Sequence, residues 1–303
     1  MGQAEGDRLV IGLPGGGSLG YAGFGALDGV PCFAFHGTSS SRLMPGWMFP
    51  PELLTAAGVR MIGVDRPGYG LSTVPGAARF PDWPRAVGAL ADHLGLGRFA
   101  VLAHSLGSAY ALACGPALGE RLAVIVIASG MGPLQPGERF HSGNRAEDLY
   151  WRLARRQARW LLDPLCRLSG TMVLRSARAD PQRFTQAMAR RLPDADRRTA
   201  QRMLARRDAQ LALIADLRES YRQGTTVMAA DLLMYTRPWG FRLDEVTNMV
   251  HLWHGEQDPK VPINVARQVA ADLPQCQAHF APGGHLMACD HASDILTTLT
   301  SAF

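Results

Sequence analysis

The sequence predicts an α/β protein: a mostly parallel central sheet flanked by helices, interrupted once by a helical insertion. Three observations predict it. Apolar runs of strand length recur at residues 32–35, 59–64, 99–103 and 122–128. They are continuous rather than alternating, as strands covered on both faces read. Segments with helical spacing separate them, the arrangement of βαβ units around a parallel sheet. The alternation stops after residue 135 and resumes only with strand-like runs at 249–253 and 276–281.

Taken in order, residues 8–13 form a short apolar run, Pro14-Gly15-Gly16-Gly17 breaks it, and residues 19–27 follow with small and aromatic side chains. This predicts a β-hairpin. Residues 43–57 predict a helix whose start is interrupted by Pro45, Pro50 and Pro51. Residues 82–94 predict a helix with Asp82 as N-cap and Pro84 in the first turn. A helix follows at 106–118. Within the insertion, 147–162, 181–192 and 195–220 carry apolar residues at helical spacing, with breaks expected at Pro164, Pro181, Pro193 and Pro238. Helices at 262–273 and 293–300 flank the last strand. The division expected is a core of 1–135 and 243–303, with a helical cap inserted at 136–242.

Composition narrows the function classes. At roughly 150 residues per domain, 303 residues allow two domains or one with an insertion. With 47% hydrophobic and 19% charged residues the chain is globular rather than disordered. No apolar run approaches the ~18 residues of a membrane span. Residues 1–8 lack the apolar stretch of a signal peptide, and Gly6 stands where a myristoylation signal needs Ser or Thr. Five cysteines without a CxxC pair predict free thiols and a cytoplasmic setting. The net charge of +5 is concentrated: residues 138–222 hold 19 Arg against 10 acidic residues. A solvated helical face is the simplest reading of that excess. The alternative is attraction of an acidic small molecule or of a partner such as an acyl-carrier protein. No nucleic-acid-binding module accompanies it, and no membrane partner is expected.

Chemistry concentrates at Ala103-His104-Ser105-Leu106-Gly107, on a predicted strand-to-helix junction. Small-x-Ser-x-Gly is the nucleophile-elbow pattern, in which a sharp turn exposes the serine and crowded backbones require small neighbours. A serine needs a base. His285, in Pro282-Gly283-Gly284-His285 just after the last strand, is the candidate. Asp258, after the preceding strand in His254-Gly255-Glu256-Gln257-Asp258, is the carboxylate that would hold the imidazole in one tautomer. Ser, Asp, His is also the chain order of this kind of fold.

These motifs resemble the α/β-hydrolase superfamily, in its serine-nucleophile branch with a helical cap. Phe35-His36-Gly37-Thr38 resembles the family's His-Gly loop, and Asp65-Arg66-Pro67-Gly68-Tyr69-Gly70-Leu71-Ser72 the loop that buttresses the elbow. The resemblance implies that the backbone N–H groups of Thr38 and Leu106 bind an oxyanion. It implies supporting places for His36, Gly37, His104 and Gly107, and a cap between the sixth and seventh core strands. Two departures matter. Ser39-Ser40-Ser41-Arg42 replaces the usual Pro-Gly-Ser-Arg after His-Gly-Thr, and Ala103 replaces the first glycine of the elbow. Haloalkane dehalogenases and epoxide hydrolases are similar in layout but carry Asp where Ser105 stands.

The activity implied is hydrolysis of a carboxylic ester of a small or medium, largely apolar substrate, without cofactor or metal. Related sequences also include thioesterases, acyltransferases, C–C bond hydrolases, haloperoxidases and lyases, so the fold does not fix the outcome. A non-catalytic small-molecule binder is the reading from another class. Plainer readings exist for single residues: Ser105 as a helix N-cap, His285 as a surface histidine, Glu256 as the acid in place of Asp258. Gly15-x-Gly17-x-x-Gly20 matches a dinucleotide fingerprint in letters only, because a strand follows and Asp28 comes too early for an acid about 20 residues on. His251 and His254, three apart on a strand, point to opposite faces and make no metal site. The aromatic residues Tyr150, Trp151, Trp160, Phe184, Tyr221, Tyr235 and Trp239 are expected to form the cap's own core or, with Trp47, Met48 and Phe49, to line an apolar pocket.

Overall fold

A computed structural model of the chain describes residues 9–73, 79–134 and 145–303. Among these, eight strands form one sheet: β1 (Leu9–Gly12), β2 (Ser18–Gly25), β3 (Val30–Phe35), β4 (Val59–Val64), β5 (Phe99–His104), β6 (Leu122–Ala128), β7 (Val250–Gly255) and β8 (Cys276–Ala281). Their order is β1-β2-β4-β3-β5-β6-β7-β8. The predicted hairpin is the antiparallel pair β1–β2. β2 also runs antiparallel to β4, and every later pairing is parallel.

This order puts the site where it is. The chain steps outward from β3 to β4, then returns to place β5 on the other side of β3. That is a topological switch point, where loops leaving neighbouring strands diverge and open a crevice. The register sets Phe35 opposite both Val64 and Ala103. The loops beginning at His36, Asp65 and His104 therefore leave the sheet at one level.

The continuous apolar strands serve two layers. On β3, Phe33 and Phe35 join one buried cluster while Cys32 and Ala34 join the other. On β5, Val101 and Ala103 face the first layer and Ala100 and Leu102 the second. This period of two explains why the strands show no polar alternation. Helices α1 (Met44–Met48), α2 (Pro51–Ala56), α3 (Trp83–His93) and α4 (Ser108–Leu118) precede the insertion, which contributes α5 (Arg145–Arg155), α6 (Arg159–Ala179), α7 (Pro181–Arg191), α8 (Asp194–Leu204), α9 (Arg207–Ser220) and α10 (Val227–Tyr235). α11 (Ile263–Asp272), α12 (Met287–Asp290) and α13 (Ala292–Thr300) follow. None of these helices is long and apolar enough to cross a membrane.

Several expectations are corrected. Asp82 stands at the N-cap position of α3, as expected, but its side chain makes no capping bond to that helix. A short 3₁₀ turn precedes that helix, and the Asp82 carboxylate accepts the Arg79 N–H instead (3.2 Å). The regular helix after Ser105 begins at Ser108, behind a tight turn over Ser105–Gly107. The predicted helix 147–162 is two, broken at Gln157, whose φ of 53° ends α5. Pro164 lies inside α6, near its start, rather than ending it. Residues 195–220 split at Ala205 and Arg206, and neither α10 nor α12 was predicted. Trp160 is 76% exposed and so belongs to no cap core, whereas Trp151, Tyr221, Tyr235 and Trp239 are buried. The expected boundary at 135/136 and the reading of residues 1–8 fall outside the described residues.

Candidate active site

Ser105 sits at the end of β5 with φ of 53°, in the left-handed region that costs a side-chain-bearing residue about 1–2 kcal/mol. The turn is held from several directions. Ser108 Oγ donates to Met131 O (2.7 Å), Met131 N–H reaches Ser105 O (3.4 Å), and Tyr235 of α10 donates its hydroxyl to Leu106 O. A side chain at Gly107 would meet Phe35 O at 2.3 Å, and one at Gly37 would meet Ser105 Cβ at 2.9 Å. The glycines are thus the condition for the two loops to touch. Ala103 is fully buried in the sheet.

Two other loops cross beside this turn. A Cβ on Gly255 would lie 2.3 Å from Gly284 O. Glu256 N–H donates to Ala281 O (2.9 Å), Gln257 N–H to Gly283 O (2.9 Å), and Gly283 N–H to Gln257 Oε1 (2.7 Å). These bonds draw the loop after β7 onto the loop after β8, which sets His285 Nδ1 2.8 Å from Asp258 Oδ2. Asp258 and His285 are both buried, while Glu256 is exposed and contributes only backbone. Asp258 Oδ1 accepts the N–H groups of Lys260 (2.8 Å) and Val261 (3.0 Å). Burial disfavours the Asp258 carboxylate, but His285, the Val261 N–H and His254 together outweigh it, holding its pKa below the ordinary value. An ionised Asp258 keeps the proton on His285 Nδ1 and leaves Nε2 as the acceptor. Among the described residues Ser105 Oγ makes no hydrogen bond. Such contacts often tighten only when substrate arrives.

His104 and His36 tie neighbouring loops together. Burial, then the nearby His285, push His104 down to about 3. Its Nε2 lies 3.2 Å from His285 O, so neutral His104 donates there and fastens the His285 loop beside Ser105. His36 Nε2 accepts the Arg66 N–H (3.1 Å), which makes Nδ1 the donor to Gly37 O (2.8 Å). Burial and the Arg66 charge hold His36 well below the ordinary imidazole range, in keeping with that tautomer. Among the described residues Thr38 N–H has no backbone acceptor, and Leu106 lies in a first helical turn, where N–H groups lack intrahelical partners. Both predicted oxyanion donors are therefore available. No group of three or more His, Cys, Asp or Glu among the described residues could hold a metal ion. His251 pairs with His279 (3.2 Å) while His254 turns to Val261 O (2.8 Å), so the two do point apart.

The sequence reading missed what the insertion adds: three buried carboxylates on its helices, each bonded to a loop of the site. Asp196 of α8 accepts Leu286 N–H (2.7 Å), next to His285. Asp231 of α10 pairs with Arg66. Asp216 of α9 accepts four bonds, from Ser40 Oγ (2.6 Å), Ser41 N–H (2.8 Å), Ser41 Oγ (2.6 Å) and Trp47 Nε1 (2.9 Å). Of the two serines that depart from the family's loop, Ser40 is thus bound by Asp216, while Ser39 Oγ pairs with the Tyr221 hydroxyl (2.7 Å). The available signal was an acid inside an apolar helical run, as in Leu211-Ala212-Leu213-Ile214-Ala215-Asp216.

Burial pushes Asp216 up from an ordinary 3.8 to about 6, outweighing its four donors. A carboxyl with a raised folded pKa binds its proton more tightly when folded. Its contribution is complete below the unfolded value and lost as pH rises through about 6. The stability of the wild type relative to Asp216→Asn is therefore expected to fall by on the order of 3 kcal/mol between pH 4 and pH 7.5. Denaturant titration of both proteins across that range measures it, and a difference independent of pH contradicts it.

The comparisons with known proteins agree with this architecture. A family model described as the alpha/beta hydrolase fold matches residues 33–292. The chain is 27% identical over 246 residues to a 2-hydroxy-6-oxononadienedioate/2-hydroxy-6-oxononatrienedioate hydrolase of Cupriavidus pinatubonensis, covering 80% of this chain and 75% of that protein. Among solved structures it is similar to a thermophilic esterase from Thermogutta terrifontis, with a TM-score of 0.63, 22% identity and 97% of each chain covered. It is also similar to the enol-lactonase from Burkholderia xenovorans LB400, with a TM-score of 0.63, 15% identity, and 97% of this chain and 99% of that one covered.

Proposed function

We propose a serine-hydrolase mechanism for this chain, which belongs to the α/β-hydrolase family. The observation that carries it is the buried Asp258–His285 pair on crossed loops beside a serine held in the left-handed region. In this reading Ser105 Oγ attacks the carbonyl carbon of a carboxylic ester while His285 Nε2 takes its proton. Asp258 stabilises the imidazolium. Thr38 and Leu106 N–H groups bind the oxyanion, each donor being worth roughly 3 kcal/mol in comparable sites. His285 returns the proton to the leaving alcohol. It then activates water, which releases the acid and restores the serine. The site chain needs no bound cofactor for these steps. A small or medium, largely apolar substrate suits a site covered by the helices of the insertion.

The similarity to a 2-hydroxy-6-oxononadienedioate hydrolase supports a second reading, hydrolysis of a C–C bond in such a keto acid. A panel of p-nitrophenyl esters beside a 2-hydroxy-6-oxo dienoic acid, with products identified by mass spectrometry, separates the two. The proposal predicts free acid and alcohol from the esters, with a transient acyl adduct on the protein. Turnover of the keto acid with none of any ester would overturn it in favour of the second reading.

A further inference from the structure

Arg66 and Asp231 form a fully enclosed ion pair outside the Ser105, His285 and Asp258 constellation. Arg66 Nη1 donates to Asp231 Oδ1 (2.8 Å) and Nη2 to Oδ2 (2.7 Å), a bidentate fork. Tyr69 donates its hydroxyl to the same Oδ2 (2.6 Å). The guanidinium lies over the rings of Tyr69 and Tyr110, at 4.8 and 5.0 Å. As a stability device such a pair is poor, because desolvation cancels most of the attraction and apolar replacements often cost nothing. Its geometry has another consequence. Arg66 Nη2 also donates to Gly37 O (3.0 Å), the carbonyl that already accepts from His36 Nδ1 (2.8 Å).

Gly37 C=O and Thr38 N–H are the two ends of one planar peptide group. Two donors on the oxygen, one of them cationic, fix that plane and draw electron density toward the oxygen, which makes the N–H a stronger donor. The Arg66 cation thus lies at the negative, carbonyl end of that peptide group. We propose that Arg66, held by Asp231 and Tyr69, is a positioning residue that aligns and polarises the Gly37–Thr38 peptide for oxyanion binding. This rests on the reading of Thr38 N–H as an oxyanion donor. Because Asp231 belongs to α10, the donor is set only when that helix is seated.

The test removes the pair without leaving a buried charge: Arg66→Met and Asp231→Leu together, in a Tyr69→Phe background, compared with Tyr69→Phe alone. Readouts are the thermal midpoint, kcat and KM for p-nitrophenyl butyrate, and the Ki of an alkyl boronic acid whose adduct with Ser105 carries an oxyanion. The expected result is a folded protein with KM within twofold and kcat lowered about 10- to 100-fold, less than the 10²–10³ of deleting a donor outright. The boronate Ki should weaken by the same factor. Unchanged kcat and boronate affinity would overturn the proposal, leaving the pair a structural element only. If the combined variant does not fold, Arg66→Lys serves. A single ammonium cannot bridge Asp231 and Gly37 O as the fork does, so kcat should fall with KM unchanged, and full activity would again overturn the proposal. A wild-type protein that neither cleaves the ester nor is inhibited by the boronate would overturn the serine-hydrolase reading as well.

Discussion

Ser105→Ala is expected to lower kcat on p-nitrophenyl butyrate by about 10⁶-fold, the loss seen when a triad nucleophile is removed elsewhere, with the fold intact. Ser105 Oγ has no hydrogen-bond partner among the described residues, so removing it orphans no buried group. The backbone at φ of 53° remains strained with alanine. Glycine relieves that strain, so Ser105→Gly should be equally inactive yet more stable by about 1 kcal/mol. A residue that is indispensable for turnover and costly for folding is the signature of strain kept for function. Steady-state kinetics with denaturant titration of the three proteins gives both numbers. Residual wild-type turnover in Ser105→Ala, or a Gly variant less stable than the Ser protein, would contradict this account.

Asp258→Asn should cost about 10⁴-fold in kcat, the size of loss that a wrong histidine tautomer causes. The surroundings decide how the new amide sits. The N–H groups of Lys260 and Val261 point at Oδ1, and an amide nitrogen there would face two donors. The asparagine therefore keeps its oxygen at that place and turns its NH₂ toward His285 Nδ1. Nδ1 must then accept, the ring proton moves to Nε2, and Nε2 can no longer take the Ser105 proton. The loss should appear in kcat with little change in KM. Glu256→Gln, at an exposed side chain on the same loop, should leave kcat within twofold of wild type. Kinetics on the two variants separates the two acids, and the reverse ranking would contradict the assignment.

The sheet and the motif loops were legible because their signals are local. Buried parallel strands leave continuous apolar runs, and Gly107 and Gly255 mark backbone approaches that a Cβ would block at 2.3 Å. The order of Ser105, Asp258 and His285 along the chain could be read against the strands that carry them. The insertion was less legible. Its helices break at Gln157 and at Ala205-Arg206, where no proline or glycine announces the break. Asp196, Asp216 and Asp231 drew no notice among many charged residues, because their partners lie far away in sequence. Ser41 and Asp216 are 175 positions apart, and Arg66 and Asp231 are 165 apart. Propensity and spacing carry no information about such pairs. For Asp216 and Asp231, an acid within an apolar run was the one available trace.

If Ser105 is an activated nucleophile, a fluorophosphonate reacts with it, and digestion followed by mass spectrometry locates the adduct. The expected result is a single phosphonylated serine, Ser105, with labelling that is lost when His285 is replaced by alanine. An unlabelled wild-type protein, or an adduct on a different serine, would contradict it.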